Sequence, residues 1–62
     1  MARTILVVED EPTLRETLAE ALEADGFRVT AAGDGRTGLA LFRSEQPDLV
    51  LLDLMLPELS GI

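Results

Sequence analysis

The residues that could do chemistry are acidic, and they fall in two places. Glu9-Asp10-Glu11 follows the apolar run Thr4-Ile5-Leu6-Val7-Val8, and Asp53 closes the run Leu49-Val50-Leu51-Leu52. The chain has no cysteine, which excludes disulfides, zinc–thiolate sites and thiol nucleophiles. It has no histidine either, so the metal chemistry left to it is that of hard cations on oxygen ligands. Carboxylates gathered within a few ångströms repel one another and raise some of their pKa values, a penalty that a divalent cation removes. Mg2+ suits such a cluster because it takes one or two carboxylates, keeps several waters and then binds a phosphoryl oxygen. The alternative is that Asp10 and Glu11 cap a helix while Asp53 begins a turn, since acids are common at helix starts. The choice depends on whether the chain's elements bring the two places together.

Two of those elements are apolar without interruption. Residues 4–8 are rich in β-branched side chains, and Leu49 to Leu52 lie between Asp48 and Asp53 with Pro47 before them. Runs of this kind read as strands of a parallel sheet buried on both faces. Between them Pro12 fits the first turn of a helix. Thr13 and Glu16 are spaced as a capping box. Leu14, Leu18, Ala21 and Leu22 form an apolar stripe of helical period, and Gly26 is a helix stop. Phe27 to Ala32 alternates, as suits an edge strand. Gly33-Asp34-Gly35 reads as a turn in which Asp34 caps a second helix, from Arg36 to about Gln46, with Leu39 and Phe42 on its buried face. Gly38 weakens that helix by about 1 kcal/mol relative to alanine. Phe27 and Phe42, the only aromatics, are expected to fill the core.

Strand, helix, strand, helix, strand is the signature of two consecutive βαβ units. With right-handed crossovers and strand order 2-1-3, the helices fall on opposite faces. That order explains why strands one and three are apolar throughout while strand two alternates. It also creates a switch point between the C-terminal ends of strands one and three, where open α/β sheets bind ligands. Glu9, Asp10 and Asp53 then stand on neighbouring strands about 4.8 Å apart. The joint placement favours a metal site.

Composition narrows the partners. Sixty-two residues make one small domain, and a chain of that size buries only roughly 60% of its unfolded surface. Twelve acids against five arginines, with no lysine, give a net charge of −7. That argues against nucleic acid and anionic membranes as partners. The N-terminal stretch before Glu9 is too short for a signal peptide or a membrane span, so a cytoplasmic location is expected.

Val7-Val8-Glu9-Asp10-Glu11-Pro12, together with Pro47 to Pro57 and Ser60-Gly61, resembles the receiver domain of bacterial two-component response regulators. The wording Asp53 to Ile62 looks most like the branch that carries winged-helix DNA-binding output domains. The resemblance covers essentially the whole chain. It implies a flavodoxin-like fold, of which residues 1–62 would be the first half: α/β, βαβαβ, three parallel strands in order 2-1-3 with helices on both faces. It implies Asp53 as phosphoacceptor from a histidine kinase, Asp10 as a direct Mg2+ ligand, Glu9 as a ligand through water, and the Met55 backbone carbonyl as a further ligand. Receivers in that family are longer. Their fourth-strand hydroxyl residue and fifth-strand lysine have no counterpart here.

Two functions follow as expectations. One is a phosphoacceptor of phosphorelay signalling, not an enzyme beyond slow autophosphorylation from small phosphodonors. The other is a signalling-inactive half-domain that forms a homodimer through its exposed third strand. In a 2-1-3 sheet that strand is an edge, yet it has none of the charge, proline or cover that usually protects one.

Overall fold

The computed structural model describes residues 2–53, Asp53 by its backbone alone. Its centre is β1 (Thr4–Glu9), the strand with a neighbour on each side. Ile5, Leu6, Val7 and Val8 are all buried, at most 4% exposed. A helix α1 (Pro12–Ala24) follows, then β2 (Arg28–Ala32), α2 (Gly35–Glu45) and β3 (Leu49–Asp53). The three strands are parallel in the order β2-β1-β3, the arrangement expected from the contrast between alternating and continuous apolar runs. Among the described residues no helix is long and apolar enough to cross a membrane.

Both helices pack against β1 and β2. Alternate residues of a strand point to opposite faces, so Leu6 and Val8 serve one layer and Ile5 and Val7 the other. In the first layer Leu6, Val8 and Ala32 form the core, with Leu41 and Val50 packed against it. Here α2 departs from expectation. The residue it buries is Gly38, whereas Leu39 and Phe42 stay 51% and 48% exposed. A Cβ at Gly38 would stand 2.9 Å from Val8 Cγ2, so this glycine brings α2 down onto β1. Leu39 and Phe42 instead line an open apolar groove of about 230 Å3 that runs over Val50 and Leu52. Phe27 is half-buried, so neither aromatic is enclosed.

The helix ends are built locally. Thr13 and Glu16 do not form the start of α1. The N-cap is Glu11, whose carboxylate accepts the N–H groups of Thr13 at 3.2 Å and Leu14 at 2.7 Å. Pro12 then occupies the first helical position, as expected. At the other end Gly26 takes φ +95°. Its N–H donates to Glu23 O and that of Phe27 to Leu22 O, the paired bonds of a Schellman motif. The stripe that α1 turns inward is Arg15, Leu18, Ala19 and Leu22, all half-buried, while Leu14 and Ala21 are exposed.

Asp34 caps α2 as expected, accepting the Thr37 N–H at 2.7 Å and its hydroxyl at 3.2 Å. Hydrogen bonds from Thr37, the backbone one foremost, hold the Asp34 carboxyl below its ordinary value. Asp48 has a part that spacing did not reveal. Its carboxylate accepts the Thr4 N–H at 2.8 Å while its own N–H donates to Thr4 O at 2.8 Å, which fixes the register at which β3 joins β1.

Candidate functional site

The C-terminal ends of β1 and β3 lie side by side. In the parallel ladder Glu9 is the register partner of Asp53. The order 2-1-3 therefore brings together the two acidic places that lie far apart in the sequence. Asp10 follows at the bend between β1 and α1 and is exposed.

Local structure gives the three consecutive acids different tasks. Glu11 holds the first turn of α1 through the two hydrogen bonds of its carboxylate. Glu9 is fully buried, and its Oε2 accepts the Glu11 N–H at 2.8 Å. A buried carboxylate is costly unless hydrogen bonds or positive charge compensate it. Asp10 projects from the same bend into solvent. Helix capping thus accounts for Glu11 and leaves Glu9 and Asp10 at the sheet's end, next to the Asp53 position. A buried carboxylate beside an exposed one is a donor set that fits a hard, partly hydrated cation. Among the described residues no three acidic side chains are grouped closely enough to form a cation cage by themselves. The expected ligand Met55 lies outside the described residues.

One contact here was not foreseen from the sequence. Arg15, in the second turn of α1, reaches back so that Nη1 donates to the main-chain oxygen of Glu9 at 3.0 Å. An arginine close to a helix N-terminus, against the helix dipole, is the signal that could have drawn attention to it.

The receiver domain of response regulators matches residues 5–62. This chain belongs to that family. The probable transcriptional regulatory protein TcrX of Mycobacterium tuberculosis is 49% identical over 59 residues, covering 95% of this chain and 25% of that protein. Transcriptional regulatory protein CseB of Streptomyces coelicolor is 53% identical over 58 residues, 94% of this chain and 25% of its own length. The DNA-binding response regulator MtrA of Mycolicibacterium smegmatis is 50% identical over 62 residues, 100% of this chain and 27% of that protein. The chain thus spans about a quarter of the length of these relatives. Within the receiver family, the observed β2-β1-β3 sheet corresponds to part of a flavodoxin-like fold.

Proposed function

We propose that this receiver chain is a phosphoacceptor of phosphorelay signalling, with Asp53 as the residue that takes the phosphoryl group. The observation that carries the reading is the register pair of Glu9 and Asp53, with Asp10 at the adjoining bend. A carboxylate oxygen of Asp53 would attack the phosphorus of a phosphohistidine on a histidine kinase. The O–P bond forms as the N–P bond breaks, and the imidazole leaves with a proton from solvent. Glu9, Asp10, Asp53 and the Met55 backbone carbonyl would hold Mg2+, which supplies compensation for the charge of the phosphoryl oxygens. Burial of Glu9 keeps one ligand fixed, while the exposure of Asp10 leaves the site open to a phosphodonor. The setting is cytoplasmic, and the net charge of −7 makes DNA a poor partner for these residues themselves.

Incubation with acetyl phosphate and Mg2+, followed by intact-mass measurement, tests the reading. The expected result is one phosphoryl adduct that is lost with EDTA and in Asp53→Asn. No adduct at saturating phosphodonor, or an adduct that survives Asp53→Asn, would refute it.

A second reading is favoured by β3. Leu49 and Leu52 are 57% and 65% exposed, and Leu51 is exposed as well. Together with Val50 they present an apolar edge that, among the described residues, has a strand on one side only. A second copy could cover it through a two-fold contact, the commonest oligomer symmetry, by antiparallel pairing of the two β3 strands or by exchange of elements. The chain would then be a homodimer without signalling activity. Sedimentation at micromolar concentration should give a dimer that Val50→Lys dissociates. A wild-type monomer that unfolds cooperatively excludes this reading and leaves the first intact.

A further inference from the structure

Arg15 stands where a helix least favours a cation, one turn from the positive end of the α1 dipole. Its guanidinium is not left in solvent. It crosses to the end of β1, where Nη1 donates to the Glu9 carbonyl at 3.0 Å in a part-buried contact. The space it occupies is set by Gly33, just after β2. An ideal Cβ at Gly33 would lie 2.7 Å from Arg15 Nη1 and 3.5 Å from Cζ. Gly33 has no positive φ, so the position calls for a small residue and not for unusual backbone freedom. Three segments meet at this point: the end of β1, the second turn of α1 and the loop leaving β2.

We propose that Arg15 is a positioning residue for the acidic site and that Gly33 is its seat. The guanidinium holds the Glu9 main chain from one side while the Glu11 N–H holds the Glu9 carboxylate from the other, at 2.8 Å. The residue before Asp10 is thereby fixed in backbone and side chain. A site fixed in this way does not have to be ordered when a cation arrives, and its affinity gains from that preorganisation. The positive charge also lowers the mutual repulsion of Glu9, Asp10 and Glu11. Lysine would supply that charge as a flexible point without the rigid planar fork of arginine.

This role rests on the divalent-cation site of the phosphoacceptor reading, and the experiment separates the two. Mg2+ is titrated into the isotope-labelled chain while the amide signals of residues 9–11 are followed by NMR. The variants are Arg15→Met, Arg15→Lys, Gly33→Ala and the double variant Arg15→Met with Gly33→Ala. Outer-shell partners typically affect metal affinity by about 10-fold to 100-fold. Arg15→Met and Gly33→Ala should therefore each weaken Mg2+ binding by about 10-fold, with Arg15→Lys in between. Because both act on one contact, the double variant should be no weaker than Arg15→Met alone. Gly33→Ala keeps the arginine and needs only the far end of a flexible side chain to move, so it reports even if Arg15→Met does not fold. A wild type that binds no Mg2+ overturns the cation site and this role with it. Wild-type binding that Gly33→Ala leaves unchanged, or losses that add in the double variant, overturns the positioning role alone.

Discussion

β1 and β3 are nearly the same kind of strand in composition and differ almost completely in burial. Residues 5–8 are Ile-Leu-Val-Val and residues 49–52 are Leu-Val-Leu-Leu, each run ending at an acid. Leu6 is 1% exposed, yet Leu52 is 65% exposed. The difference lies in neighbours. Among the described residues, β1 has a strand on each side and both helices packed against it, whereas β3 has one strand and an open groove. Apolar content records what a segment can bury, and the topology decides what it does bury.

The sharpest way to break this comparison is to truncate matched leucines. Leu6→Ala should cost about 2–5 kcal/mol, the range for a buried leucine. Leu52→Ala should stay within about 0.5 kcal/mol if β3 faces water. If a second copy covers β3, Leu52→Ala will instead be costly, and the wild-type midpoint in urea will rise with protein concentration. Urea unfolding at two concentrations decides between these outcomes.

A smaller effect would join the two strands. Glu9 ends β1 and Asp53 ends β3, so a cation held by both would tie the exposed strand to the buried one. With free Mg2+ near ten times Kd the stabilisation should be about 1.4 kcal/mol. It should vanish in the double variant Asp10→Asn with Asp53→Asn. Melting temperatures that agree in Mg2+ and in EDTA would mean that the strand ends do not share a cation.

Smaller still is the effect of the glycine that seats α2 on β1. Gly38→Ala improves helix propensity by about 1 kcal/mol but forces a methyl to within 2.9 Å of Val8 Cγ2. Overpacking of this kind costs about 1–3 kcal/mol, and the open groove beside β3 gives α2 room to shift. The expected result is a net loss of about 1 kcal/mol. Gly35→Ala is the control, because nothing lies within 4 Å of its Cβ position. It should be neutral or slightly stabilising, and equal behaviour of the two variants in thermal melts would show that Gly38 is not a close contact.

These cases also separate what the sequence alone makes legible from what it does not. The strand order was legible because alternation at residues 27–32 contrasts with continuous apolarity at 4–8 and 49–52. Gly26 and Asp34 were legible because a helix stop and an N-cap are local. The buried face of α2 was not, because Leu39 and Phe42 have the period of a core stripe while Gly38 has no side chain to count. Pro12 was legible as the first residue of α1, but its cap was not: Thr13 and Glu16 have capping-box spacing, whereas it is Glu11 that accepts the free N–H groups. The register pairing of Glu9 with Asp53, with Asp10 at the adjoining bend, could be anticipated from the topology. Arg15 and Gly33 could not, since their contact joins three segments and depends on side-chain reach.

The smallest expected effect concerns the cap of α2, the helix that packs on β1 and leaves β3 open. Hydrogen bonds from Thr37 lower the folded-state pKa of Asp34 from its ordinary 3.8. A carboxyl with a depressed folded pKa adds stability that is present above its unfolded pKa and lost as pH falls through the folded one. The window therefore opens near the ordinary value and extends below it. Asparagine is an equally good N-cap residue but does not titrate, so Asp34→Asn isolates the charge. The gap in melting temperature between wild type and Asp34→Asn should be constant at neutral pH and should close as pH drops below 3.8. Asp34→Ala should be less stable than either at neutral pH, because it loses the hydrogen bond as well. The exposed position makes all three differences small. Since α2 rests on β1, the loss in Asp34→Ala should appear first as faster amide exchange along α2 and only then in β1, with β3 unaffected. A gap between wild type and Asp34→Asn that does not change with pH would mean that Thr37 caps as well without the charge.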